Sequence, residues 1–120
     1  MTTTTEGIKD LAPEIYRQRL IIEGYPAFII EEQHIKDYLS ELSSVCDMNL
    51  LAGPMTNRSP KFGWAGWIHW ETSGTHFYGW RKPLSFFSVD IYTCKKFEVQ
   101  EVVDFTRSFF KATEIVFKEV

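Results

Sequence analysis

The 120-residue chain has no stripe of basic residues. Its Lys and Arg are scattered, with Arg81-Lys82 and Lys95-Lys96 the only adjacent pairs, and the net charge is −3. Nothing tracks a phosphate backbone, which argues against nucleic acid as a partner. No apolar run approaches the roughly 20 residues of a membrane helix. The opening residues, MTTTTEGIKD, lack the basic and apolar regions of a signal peptide. A cytoplasmic protein is expected. Cys46 and Cys94 are too few for a disulfide framework, and in that compartment they are expected to be free thiols. His69, His76 and Glu71 have no recognisable ligand spacing, so no metal is expected. No repeat or second domain is visible, and the length suits one domain.

Aromatic residues are abundant instead. Ten Phe, five Tyr and four Trp make up 16% of the chain. Such a surplus points to a ring-rich sheet core, an aromatic binding surface or an oligomer interface. It is densest between Gly63 and Cys94, which hold all four Trp and two of the three His.

Residues 1–16 are polar and Thr-rich and read as a flexible tail, followed by a single domain over 17–120. Arg19 to Gly24 is a strand whose apolar run, Leu20 to Ile22, suggests cover on both faces. Glu23 closes it, either in water or in a site. From Glu31 to Cys46, Ile35, Tyr38, Leu39, Leu42 and Cys46 recur at helical spacing, with His34 on the surface. Asn49 to Ala52 reads as a short strand, and Gly53 to Pro60 as a loop by its turn residues. Phe62 to Thr72 alternates: Trp64, Gly66, Ile68 and Trp70 face one way, and Ala65, Trp67, His69 and Glu71 the other. Ser73-Gly74 is the candidate hairpin turn. Thr75 to Trp80 and Phe86 to Cys94 follow as strands. Glu98 to Phe110 is a second helix, with Val99, Val102, Val103, Thr106 and Phe110 as its apolar stripe. Thr113 to Val120 closes as a strand. The predicted fold is α+β, a two-layer sandwich of order β-α-β-β-β-α-β. Its sheet is mainly antiparallel, with two helices on one face.

From Arg19 onward the chain resembles the small prokaryotic S-adenosylmethionine decarboxylases. RLIIEGY is similar to their opening strand. Gly63-Trp64-Ala65-Gly66 resembles a G-x-S-G segment. Seven residues on, Ser73 falls where the family has the serine that self-cleaves into a pyruvoyl group. Trp80 matches the Trp of E-S-H-x-x-x-H-T-W-P-E, and Ser88 to Cys94 resembles A-V-D-x-F-T-C after one extra residue. The departures are as specific. Thr72 replaces the Glu before the serine, Gly74 the His after it, and Ala65 the serine of G-x-S-G. Tyr78 stands where the processing His belongs, and Arg81-Lys82-Pro83 replaces the P-E whose Glu is implied to hold the ribose. Tyrosine, with an ordinary pKa of about 10, is a poor proton shuttle at neutral pH.

The resemblance implies S-adenosylmethionine as ligand, with Trp67, Trp70, Tyr78 and Trp80 available to its sulfonium and adenine. It also implies Glu23 and Asp90 as further binding residues, and His69, on the same strand face as Glu71, is a candidate partner for that carboxylate. Glu71 is the lead catalytic candidate, a carboxylate among rings that can hold the ammonium or sulfonium, or else a hairpin acid in water. The expected reaction is pyruvoyl-independent and cofactor-free. The substrate's carboxylate attacks its own γ-carbon and expels methylthioadenosine, leaving homoserine lactone, through orientation and charge control. One alternative is a true decarboxylase, with Ser73 as pyruvoyl precursor and Cys94 as the acid. Another is a silent binder or partner subunit. The family's oligomers, with sites near subunit boundaries, imply a homo-oligomer here.

Overall fold

The computed structural model describes residue 7 and residues 9–120. Of the flexible tail expected over 1–16, residues 1–6 and 8 lie outside the described residues; Gly7 and 9–16 contain no helix or strand. The elements are β1 (Gln18–Tyr25), α1 (Glu32–Val45), β2 (Leu50–Ser59), β3 (Gly63–Trp70), β4 (Ser73–Trp80), β5 (Phe86–Thr93), α2 (Val99–Phe110) and β6 (Glu114–Glu119). They form one six-stranded sheet of order β2-β3-β4-β5-β1-β6, antiparallel at every pairing. The α+β sandwich with its two helices is as expected, and each of the six strands read from the sequence is present, in the order β-α-β-β-β-β-α-β, which has one more strand between the helices than the order stated for the expected fold.

β2 is longer than expected: it includes most of the short strand read at Asn49–Ala52 and runs straight on through the segment read as a loop. Its turn residues are absorbed by two register shifts against β3, between Leu50 and Ala52 and between Ala52 and Met55. Gly53 takes a φ of 95° there. Pro54 lies in the second shift, on a strand at the sheet's edge, where a missing N–H costs no ladder bond.

The β3–β4 turn also sits two residues earlier than expected. Trp70 pairs with Ser73, so Glu71-Thr72 form the turn and Ser73-Gly74 belong to β4. Thr72 reaches φ 59°, a left-handed conformation unusual for a β-branched residue.

Both helical stripes point into the core. Ile35, Tyr38, Leu39 and Leu42 of α1 and Val102, Val103, Thr106 and Phe110 of α2 are buried. They cover Leu20, Ile22, Ile68, Trp70, Phe77, Phe87 and Val89 of the sheet. Phe110 is the hub, its ring 4.8 Å from Phe87, 4.9 Å from Tyr38 and 5.2 Å from Phe77. Tyr38 donates its hydroxyl to Thr106 Oγ1 at 2.7 Å, and Thr106 passes its own on to the Val102 carbonyl at 2.8 Å. Burial drives the Tyr38 pKa well above its ordinary value. Gly66 lets α1 approach: a Cβ there would stand 2.6 Å from Ile35 Cγ2.

The opposite face carries no helix. Ile21 is consequently 37% exposed, between buried Leu20 and Ile22. This corrects the expectation of cover on both faces, because a run of three apolar residues does not reveal which layer is missing. His34 is likewise more than a surface residue. Its Nδ1 accepts the N–H of Glu31 at 2.9 Å at the start of α1, and its ring lies 4.6 Å from Phe28.

Candidate functional site

Strand alternation sorts each side chain to one face, and the register then aligns the open-face residues into rows. One row runs His69, Gly74, Tyr92, Arg19 across β3, β4, β5 and β1. The next runs Trp67, His76, Asp90, Ile21, and ends on Lys118 of β6. These two rows frame a groove of about 700 Å³. Arg19, His69, Ser73, His76, Asp90 and Tyr92 supply its polar groups, with Leu51 and Val120 at its apolar margins.

The rings along it are ordered, although Trp67, expected in the site, is not among the lining residues. Trp67 stacks on His69 at 4.4 Å, and His69 faces His76 at 6.3 Å. The Arg19 guanidinium lies 4.9 Å from the centre of the Tyr92 ring. Asp90 is exposed and sits directly across from His76. Gly74 keeps the groove open, since a Cβ there would meet the Ile68 carbonyl at 3.0 Å and the His69 ring at 3.2 Å. Carboxylate, imidazoles and ring faces together suit a cation carried on a flat, polar molecule.

Ser73 enters this groove from its end, immediately after the left-handed Thr72. Its Oγ accepts the backbone N–H of Cys94 at 3.1 Å, tying the start of β4 to the end of β5. Thr75, two residues along β4, and Thr93, one residue before Cys94, are both buried. Neither hydroxyl has a partner among the described residues. Buried hydroxyls left unpaired are uncommon. By strand alternation Thr75 lies on the same side of β4 as Ser73, and both threonine hydroxyls are free O–H donors. The Cys94 thiol is half-buried, 3.9 Å from the Tyr92 hydroxyl.

The other expected site residues are dispersed. Glu71 occupies the exposed turn and is not among the groove's lining residues; its N–H is spent on the Asn49 carbonyl at 3.0 Å. Trp70 is 1% exposed, with its indole N–H donated to Ser43 Oγ at 2.7 Å, so only its edge reaches the groove. Tyr78 and Trp80 line a separate, smaller groove at the far end of β4. Glu23 accepts the Ser88 hydroxyl at 2.8 Å in the next open-face row beyond Asp90 and Ile21, outside the groove's lining. His76, Tyr92 and Arg19 were missed as a group. The signal for them is the cross-strand register, which alternation within one strand does not supply. Among the described residues, no three His, Cys, Asp or Glu are placed to hold a metal ion. No helix among them is long and apolar enough to cross a membrane.

A sequence model of the S-adenosylmethionine decarboxylase family matches residues 18–120. The chain belongs to that family. Among solved structures it is similar to the adenosylmethionine decarboxylase of Aquifex aeolicus VF5, with a TM-score of 0.72 and 12% identity over 88% of this chain and 89% of that one. That likeness fixes the fold. A search of curated proteins gave no match.

Proposed function

We propose that the chain takes S-adenosylmethionine into the open-face groove and decarboxylates it, with Ser73 as the precursor of a pyruvoyl group. The observation that carries this reading is the place of Ser73 at the end of the groove, directly after the Thr72 turn, with its Oγ held by the Cys94 N–H on the core-facing side of β4. The residues around it fit the group. Free hydroxyls of Thr75 and Thr93 stand ready to stabilise charge on the carbonyl before Ser73, and the Thr72 backbone is already displaced from ordinary geometry. When present, a pyruvoyl carbonyl supplies the electron sink that loss of a carboxylate requires.

The chain's own side chains do the rest. Asp90 opposes the substrate's cationic charge, and the Trp67 and His69 faces receive its adenine or sulfonium. Cys94, its thiol 3.9 Å from the Tyr92 hydroxyl, is the acid candidate at the same end of the groove. Uncovered Ile21, Tyr92, Met55 and Tyr78 on this face support a second copy packing over it, with the site near the boundary. Intact-mass measurement tests the reading. Two fragments divided between Thr72 and Ser73 are expected; a single unbroken chain that still turns over substrate would overturn it.

One observation favours a second reading. Tyr78 and His76 project from the open face of β4, whereas Ser73 shares the alternation of the core-facing Thr75 and Phe77. No imidazole of β4 therefore stands on the same side as the Ser73 hydroxyl. An uncleaved chain would direct the groove to cofactor-free cleavage into methylthioadenosine and homoserine lactone, with Glu71 next to the site as the first carboxylate to test.

A further inference from the structure

The far end of the sheet gathers charge of one sign. The turn between β2 and β3 brings Arg58, Ser59 and Lys61 against Arg81 and Lys82, which follow β4. All five line one depression of about 130 Å³. The main chain fixes the junction: Arg81 donates its N–H to the Phe62 carbonyl at 2.7 Å. Scattered in sequence, these residues are four of the 13 Lys and Arg in a chain of net charge −3. No carboxylate lines the depression. Glu31, at the start of α1, pairs with Arg81. Among the described residues, Arg58, Lys61 and Lys82 pair with no acid.

Cations gathered without counter-charge repel one another, and an anion among them relieves that repulsion. A neutral donor is also in place. Ser59 Oγ accepts the N–H groups of Lys61 at 3.3 Å and Phe62 at 3.2 Å, which leaves its own O–H to donate.

The depression opens onto the smaller groove, of about 260 Å³, walled by Phe62, Trp64, Tyr78 and Trp80. The two share Arg58, Phe62 and Trp64. Phe62 meets Trp80 edge-on at 5.6 Å, and the Arg58 guanidinium lies 6.0 Å from the centre of the Trp64 ring. Ring faces beside a cationic cup match a flat base joined to a phosphate.

We propose that these two depressions form a binding site for a nucleoside phosphate. The phosphate sits among Arg58, Lys61, Lys82 and the Ser59 hydroxyl, and the base lies in the aromatic groove. Ser73 is seven residues away along β4, roughly 23 Å at the rise of a strand. The site does not depend on how Ser73 is used. S-adenosylmethionine, a sulfonium without phosphate, is the wrong charge for it.

Calorimetry and tryptophan fluorescence on the full chain, with AMP, adenosine and inorganic phosphate as probes, test the proposal. AMP is expected to bind at least about tenfold more tightly than either of its parts. The double variant Lys61→Glu/Lys82→Glu, at two exposed positions, is expected to weaken AMP by about tenfold or more, near 1.4 kcal/mol. Adenosine affinity and thermal midpoint should stay unchanged. Lys118→Glu, which pairs across from Ile21 on β6, should leave AMP binding as it was. Any one of three results overturns the proposal: no AMP binding, AMP no tighter than adenosine or phosphate alone, or a double variant that binds AMP like the unmodified chain.

Discussion

The two faces of the sheet are written by the same strands and have little else in common. On the helix side, β4 contributes Thr75 and Phe77 and β5 contributes Val89 and Ile91, all buried. One residue away in each strand, the open side carries His76, Tyr78, Asp90 and Tyr92, all exposed. A substitution on one side should therefore register as lost stability. A substitution one position along should register as lost binding. This division is the property most open to attack.

The largest effect is expected at the hub of the covered face. Phe110→Ala should cost about 3–5 kcal/mol, since truncating a buried ring removes its burial and leaves a cavity. Denaturant unfolding would measure it, and a cost under about 1 kcal/mol would break the division. Asp90→Asn, on the open face, should leave stability within about 0.5 kcal/mol. It should weaken S-adenosylmethionine about tenfold, near 1.4 kcal/mol. Equal affinity would remove Asp90 from the site.

A smaller effect concerns pH. Burial pushes the Cys46 thiol up to about 12 from an ordinary 9.0. The folded state thus holds its proton where the unfolded chain releases it. The stability that this proton contributes is complete below about pH 9, the unfolded value, and is lost as pH rises towards about 12. Alkaline unfolding of Cys46→Ala should show a shallower loss across that window. At neutral pH, a thiol reagent should modify half-buried Cys94 well before Cys46. The smallest effect is expected for Tyr78→Ala, which should change stability by less than about 0.5 kcal/mol despite removing a ring. A larger loss, dependent on protein concentration, would show that a second copy covers the open face.

Much of the covered side was legible in the sequence because periodicity is a statement about burial. The spacing of Ile35, Tyr38, Leu39 and Leu42 and the alternation about Ile68 and Trp70 both translate directly into core positions. The open side was legible only in part. Trp67 and His69 were assigned to the right face. Their neighbours Asp90, Tyr92 and Arg19 come from strands distant in sequence, and only the register joins them. Edge strand β2 was read as a strand only up to Ala52 and as a loop beyond it, because Gly53 and Pro54 are turn residues wherever a bulge does not accommodate them. The basic cup was invisible for the same reason as the groove. Arg58 and Lys82 are 24 positions apart, and the β3–β4 hairpin returns the chain to its starting end.

The central claim is that Ser73 and the groove beside it decarboxylate S-adenosylmethionine. Its most direct test is to supply substrate labelled in the carboxylate to the purified chain and to Ser73→Ala, and to follow both carbon dioxide and methylthioadenosine. Labelled carbon dioxide from the unmodified chain, and none from Ser73→Ala, is the expected result. Methylthioadenosine without carbon dioxide, undiminished in Ser73→Ala, would contradict it.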